Sequence, residues 1–479
     1  MLVLLLILLP LLAGTGIFFL RGQQQPKTAA FLASLLSLAI TLYVLFLPDS
    51  SSLVQYNHVW LASLNSNFAL GIDGVGKVTI LLTGVAFPLV ILATWNNQYK
   101  DAVQYFGLLL LTQAGLTGVF LAYDALLFYF FWELALIPTY FLCSKWGGER
   151  RIAVSFKFFI YTFIGSVLML IGIIYLYSKT PDSSFAWQSF KQASLTTTEQ
   201  TWFFWFFFVA FAIKMPIFPL HTWQPDTYEQ APTGTTMILS GVMVKMGLFG
   251  VIRWLLPVFP EMSQKMANPI IIVCVAGMIY ASLIAIRQDD IKRLVAYSSI
   301  AHIGLMCAAL FVNNAYGSEG AIMQLFNHGV NIIGLWIVVD IVERQTGIRK
   351  MSELGGLAQK APWMAVLLVV VALANIALPL TNAFVGEFLM FNGLFAYNPW
   401  YAAIAGISII LAAVYTLGMI QKVFYGKSND ALQVTDLKSA ETLAMVAIVV
   451  MIVLLGVYPE PMINLGKMTA QQVTALLHP

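Results

Sequence analysis

Glu133, Lys214, Lys245, His302, His328 and Glu387 each stand inside an otherwise apolar stretch: FFWELALIP, FAIKMPIFPLHTW, SGVMVKMG, SSIAHIGL, LFNHGVN and NAFVGEFLMF. All six are titratable. A glutamate and a lysine on two helices could offset each other's desolvation and would then each depend on the other's charge, so Glu133 and Lys214 are candidate partners. Lys245 is too far from either end of its stretch to reach an interface, and a lone buried lysine suits the binding and release of a proton. Histidine titrates near neutrality and can pass a proton between its two ring nitrogens. A single histidine in an apolar helix is commonly a hydrogen-bonded core residue. Two in successive stretches, downstream of two buried lysines, favour a relay. Heme ligation by the pair would leave the lysines and glutamates without a role. Together the six groups make a row suited to carrying protons across or along a membrane.

The elements that must hold them follow from composition. The chain has 479 residues, of which 59% are hydrophobic and 10% charged. Soluble domains carry roughly 25% charged residues. Apolar runs long enough to cross a bilayer as helices need about 20 residues, and such runs recur along the whole sequence. The ten-residue alternation of a membrane β-barrel is absent. The expected fold is all-α and polytopic, with about fourteen membrane spans near 1–20, 28–47, 74–95, 103–122, 124–145, 153–178, 201–219, 231–256, 268–287, 294–312, 319–342, 362–394, 399–423 and 440–458. No basic residue precedes the first apolar run, so that run reads as a retained span rather than a cleaved signal.

Two spans read as broken. The seventh contains Pro216, Pro219 and Pro225, and the twelfth contains Pro379 in mid-run. Proline removes a helix hydrogen bond, and freed backbone groups at membrane depth must be buried in protein or meet water. The breaks share a Pro-Leu step and lie five spans apart, so the two spans run in opposite directions. That is the pattern of an inverted repeat with one broken helix in each half. Glu387 follows the second break, where water could reach it, and His221 follows the first and could line a similar cavity.

Orientation is read from the loops. Seventeen of the 25 lysines and arginines lie beside loops that follow odd-numbered spans and five beside the others. This bias places the odd loops in the cytoplasm and both termini outside. Only Lys214 and Lys245 remain deep in apolar sequence, with Lys77 at a span entrance. Cys143, Cys274 and Cys307 show no metal or disulfide spacing and read as core. No glycine-rich loop follows a strand, so nucleotide or flavin binding is unsupported. His58 and His478 read as solvated loop and tail residues. Asp73, Asp124 and Asp226 read as interface residues at span ends.

The motifs FFWELALIP, FAIKMPIFPLHTWQPDTYEQAPT, SGVMVKMG, DDIKRLVAYSSIAHIG and NAFVGEF resemble the antiporter-like membrane subunits of respiratory complex I over essentially the whole chain. Glutamate at 387, in span twelve, and a chain that stops soon after span fourteen are similar to the M-type members; the L and N types carry lysine there. The resemblance implies spans 4–8 and 9–13 as inverted five-helix repeats, with discontinuous helices 7 and 12. The boundaries are then 1–102 for spans 1–3, 103–256 and 257–423 for the repeats, and 424–479 for the last span and tail. It also implies that Glu133 modulates Lys214, and that Lys214, Lys245, His302, His328 and Glu387 form a lateral proton path. After His328, VNIIGL departs from the small and polar residues common in the family.

The function implied is proton translocation in the membrane arm of NADH:quinone oxidoreductase, coupled to remote electron transfer, in a bacterial inner membrane. No cofactor is expected in this chain. NADH, FMN, iron–sulfur clusters and ubiquinone or menaquinone would belong to partner subunits. The expected partners are other membrane-arm subunits, including related antiporter-like ones, and the lipid bilayer, with no nucleic acid. The alternatives are a subunit of a multisubunit Na+/H+ antiporter, a membrane-bound hydrogenase arm, or a scaffold whose buried charges only bridge helices.

Overall fold

Long runs of leucine, isoleucine, valine and phenylalanine dictate helices here, because only intrahelical bonding satisfies a backbone placed in lipid. The structure is a computed structural model that describes residues 1–49, 51–429 and 431–477. His478 lies outside the described residues.

Seventeen longer helices carry the described fold. The first half holds α1 (Leu2–Ile17), α2 (Gln24–Leu45), α3 (Gly74–Ala93), α4 (Ala102–Leu121), α5 (Ala125–Trp146), α6 (Arg151–Lys179), α7 (Thr197–Lys214), α8 (Trp223–Gln230) and α9 (Thr233–Val258). The second half holds α10 (Ala267–Arg287), α11 (Ile291–Phe311), α12 (Ala315–Thr346), α13 (Pro362–Asn375), α14 (Asn382–Tyr397), α15 (Pro399–Val423), α16 (Ser439–Val457) and α17 (Glu460–Leu477). Eleven are long and apolar enough to cross a membrane.

Burial sorts these helices into a centre and a rim. The apolar windows of α9, α11 and α12 are wholly buried, whereas those of α2, α6, α15 and α16 leave most of their residues uncovered. Exposed apolar side chains such as Ile164, Ile171, Ile410 and Leu454 fall on those outer helices. Apolar exposure of this kind has a partner when the solvent is lipid.

Both breaks anticipated from proline occur. α7 stops at Lys214 and the chain resumes helix at Trp223; α13 stops at Asn375 and resumes at Asn382. Freed backbone groups at the first break find local partners: Met215 N–H donates to the Phe211 carbonyl at 2.8 Å and Ile217 N–H to that of Ala212 at 2.8 Å. The Trp223 indole N–H takes the Ile213 carbonyl at 2.9 Å. At the second break Ala377 and Leu380 adopt positive φ, 53° and 71°, and Asn375 Nδ2 donates to Ser298 Oγ at 3.2 Å.

Several features depart from the sequence reading. The loop before α3 folds into an antiparallel hairpin, β1 (Tyr56–Leu61) and β2 (Ser66–Leu70), pairing His58 with Phe68. His58 is exposed, as expected. The segment after α16 is a helix, α17, packed against α3 and α12. Gly74 permits that contact, since a Cβ there would lie 2.3 Å from the Leu465 carbonyl oxygen. The three aspartates at span ends have specific partners. Asp73 caps α3 through Gly76 N–H at 2.9 Å and holds the buried Arg253 at 2.5 Å. Asp124, 1% exposed, accepts from Leu126 N, Leu127 N and Asn67 N. Asp226 pairs with Lys157 at 2.8 Å and Arg293 at 3.0 Å.

Candidate functional site

Lys245 lies within α9 between two π-turns, Leu239–Met243 and Val251–Leu255. A π-turn inserts one residue and shifts which carbonyls meet which donors, and such turns cluster at functional sites. Lys245 Nζ donates to the Ser240 carbonyl at 2.6 Å and meets His328 Nδ1 at 2.9 Å. The side chain is fully buried, and no ion pair reaches it among the described residues. It thus has two acceptors and no counter-ion.

Close helix approach sets this contact. A Cβ on Gly329 would lie 2.9 Å from the Gly241 carbonyl oxygen, so α9 and α12 cross where neither presents a side chain. His328 sits beside that crossing. Its ring lies 5.5 Å, centroid to centroid, from that of His302 on α11. His302 Nδ1 then meets Glu387 Oε1 at 3.1 Å. A second glycine crossing positions Glu387: a Cβ on Gly320 of α12 would lie 2.7 Å from the Gly386 carbonyl oxygen on α14. Lys245, His328, His302 and Glu387, drawn from four helices, therefore form one string, hydrogen-bonded at its two ends and joined in the middle by the contact of the two imidazole rings. At its end His302, Glu387, Ser408 and Tyr415 border a cavity of about 20 Å³, room for a single water.

Sequence reasoning missed the polar residues that hold this string. Gln324 Nε2 donates to Glu387 Oε1 at 3.4 Å. Asn327 Nδ2 donates to the Asn382 carbonyl at 2.7 Å and Asn331 Nδ2 to Asn382 Oδ1 at 3.0 Å. These bonds pin the start of α14, just past the break, to α12. The signal was present: Gln324 and Asn331 stand four before and three after His328, on one helical face. In the VNIIGL segment Val330, Ile332 and Ile333 are buried, and Asn331 is its polar contact to α14.

Lys214 is placed differently from the expectation. It is 1% exposed and is the last residue of α7. No ion pair within 4 Å joins it to Glu133 among the described residues, and neither Lys214 Nζ nor Glu133 Oε1 has a hydrogen-bond partner. The ammonium instead lies 5.4 Å from the ring centre of Trp132, the residue before Glu133. A cation–π contact with a buried indole and the negative end of the α7 dipole take the place of a salt bridge. His221, after the first break, is buried against Phe218 and Tyr280, with ring centroids at 5.7 and 5.3 Å.

Lys214 and Lys245 are linked by the packing of α9 on the end of α7. Gly247 allows it: a Cβ there would lie 2.6 Å from the Phe211 carbonyl oxygen and 2.7 Å from Met215 Cβ. Gly247→Ala should overpack this contact, costing about 1–3 kcal/mol. It should also slow proton movement by prising the two lysine-bearing helices apart. Thermal unfolding in detergent and turnover after reconstitution check both effects; wild-type values for both would contradict the packing role.

Comparison with known proteins agrees with this architecture. The family model described as NADH:quinone oxidoreductase/Mrp antiporter, TM, matches residues 122–412. The chain is 34% identical over 480 residues to NADH-quinone oxidoreductase subunit M of Rickettsia typhi, covering 98% of this chain and 97% of that protein. It is 33% identical to subunit M of Escherichia coli, covering 96% and 95%. A subunit of respiratory complex I from Thermus thermophilus, solved with bound NADH, superposes with a TM-score of 0.93 at 28% identity, covering all of both chains. A string of buried titratable groups on crossing helices thus sits in a chain that belongs to the NADH:quinone oxidoreductase/Mrp antiporter transmembrane family.

Proposed function

We propose that this chain is a proton-translocating, M-type subunit of a membrane-embedded NADH:quinone oxidoreductase. It moves protons while partner subunits carry out electron transfer. The observation that carries the reading is the string Lys245–His328–His302–Glu387, with contacts of 2.9 and 3.1 Å at its two ends. Each member can gain and lose a proton, and no member is committed to a permanent salt bridge with a fixed cation. A scaffold role fits poorly, because Lys214 and Lys245 bridge no carboxylate among the described residues.

In this reading the six residues act in order. A charge change in a neighbouring subunit alters the field at Glu133. That alters how firmly Lys214 holds its proton, because the pair interacts across a gap rather than through a locked bridge. Lys214 then drives the proton through Lys245, His328 and His302 to Glu387. The chain would hold no cofactor of its own.

The same reading assigns the membrane topology. The eleven long apolar helices, α1 and the broken pairs α7–α8 and α13–α14 make fourteen crossings. The inverted repeats are 103–256 and 257–423, flanked by 1–102 and 424–479. Odd loops face the cytoplasm and both termini the outside of a bacterial inner membrane.

Lys214→Ala in the assembled complex, reconstituted in vesicles, tests the proposal. Electron-transfer-driven proton pumping should fall to background while the complex still assembles. Unchanged pumping would sink the idea.

A further inference from the structure

The proton string leaves one buried cation of α9 without a task. Arg253 lies about two turns past Lys245, inside the second π-turn, and is 2% exposed. Its Nη2 donates to Asp73 Oδ1 at 2.5 Å, an oxygen that also receives Gly76 N–H at 2.9 Å. Nη1 has no hydrogen-bond partner among the described residues. A buried charged donor left unpaired is costly. Aromatic rings hold the guanidinium in place: Cζ lies 4.3 Å from the ring centre of Tyr123 and 5.9 Å from that of Trp187. The Trp187 indole N–H donates to the Arg253 carbonyl at 2.7 Å, which fixes ring and helix to each other.

The same indole carries a second cation. Lys191 Nζ lies 4.1 Å from its ring centre. Nearby Asp49 is taken by Lys77 at 2.7 Å and Asp73 by Arg253. Lys191 is thus left with a ring and no carboxylate among the described residues, and the group carries one positive charge in excess. Partial burial draws the Lys191 pKa down from the usual lysine value, a shift that an anion beside it would reverse.

Both cations border a cavity of about 630 Å³, together with Asp49, Asp73, Tyr123 and Trp187. It lies on the membrane face opposite the basic loops, where α3 and α5 begin and α9 ends. Ile72, Ile252, Pro257 and Val473 give it an apolar wall. α17 closes one side, anchored where Val75 N–H donates to Thr469 Oγ1 at 3.2 Å. This volume suits a small organic group rather than a bare ion. Two cationic donors beside an apolar wall, at the level where membrane helices end, match a phosphate with a glycerol backbone behind it. A phosphodiester carries a single negative charge, which balances the one in excess.

We propose that this cavity binds the phosphate of an anionic phospholipid, held by Lys191 and by Nη1 of Arg253. Trp187 is the positioning residue for both. The bound lipid fastens α17 and the Trp187–Lys191 turn to the helix that carries Lys245.

The test places the assembled complex in phosphatidylcholine vesicles that contain a trace of phosphatidylglycerol with a photoreactive headgroup. Illumination should label the peptide containing Gln188 and Lys191 and the α17 peptide containing Gln472. Unlabelled phosphatidylglycerol should erase the label. Lys191→Gln should cut labelling about fivefold, roughly what one lysine beside an anionic headgroup contributes, and Lys191→Arg should restore it. If Lys191→Gln does not assemble, competition in the wild-type complex decides. Protection by inorganic phosphate at the same concentration as the competing lipid would make the occupant a free anion and overturn the lipid source. Labelling indifferent to Lys191→Gln would overturn the site. So would no labelling at either peptide in the assembled complex, the result if an acidic side chain of a neighbouring subunit fills the cavity.

Discussion

Lys245→Met should abolish proton movement and leave the protein at least as stable as the wild type. The two effects separate because a buried ammonium is a poor stabiliser. Replacing buried charged groups with apolar residues of similar volume is often neutral or stabilising by about 1–4 kcal/mol. Methionine fills nearly the same space and removes a cation that has, among the described residues, only the Ser240 carbonyl and His328 Nδ1 as acceptors. The loss in transfer should be large, since a positioned proton-transfer group contributes about 10²–10⁴-fold and among the described residues no second titratable group joins α9 to His328. Pumping by reconstituted complex and the melting temperature in detergent give the two readouts. A variant that pumps at the wild-type rate, or one that melts far below it with residual activity in proportion, would remove Lys245 from the path and leave it a packing residue.

Glu387→Gln should reduce pumping about a hundredfold, again within the range for a positioned acid–base group, with little change in stability. The amide oxygen can still accept from Gln324 Nε2 and face His302 Nδ1, the two contacts that Glu387 Oε1 makes. It cannot hold a proton and pass it on. Glu387→Ala should behave differently: it strands two buried donors at about 1–3 kcal/mol each, so assembly and pumping fall together. Equal behaviour of the two variants would mean that hydrogen bonding, not proton exchange, is what this carboxylate supplies. Wild-type pumping by Glu387→Gln would end the assignment of Glu387 to the path.

Much of this was legible along the chain. Helices were dictated by apolar run length, and both breaks by Pro216, Pro219 and Pro379, because proline's lost donor acts locally. The six titratable residues stood out because a charge placed in an apolar run is costly and rare unless it serves a function. The hairpin at Tyr56–Leu70 and the amphipathic helix Glu460–Leu477 were not legible, because each is short or mixed in polarity and gains its order from what it packs against.

The expectation for Glu133 and Lys214 shows where one-dimensional reading ends. Opposite charges on neighbouring segments suggest a bridge, yet the Lys214 ammonium lies over Trp132 and leaves the carboxylate apart. Conversely, nothing in the spacing of Lys245, His302, His328 and Glu387 says that they touch. Sequence by itself determined that this chain lives in a membrane, which residues are candidates to carry protons and where two helices break, since run length, charge and proline act on the local chain. Tertiary structure alone decided their order and contacts. Those depend on glycine crossings such as Gly241 with Gly329 and Gly320 with Gly386, where two backbones meet only because residues far apart in the chain both lack a side chain.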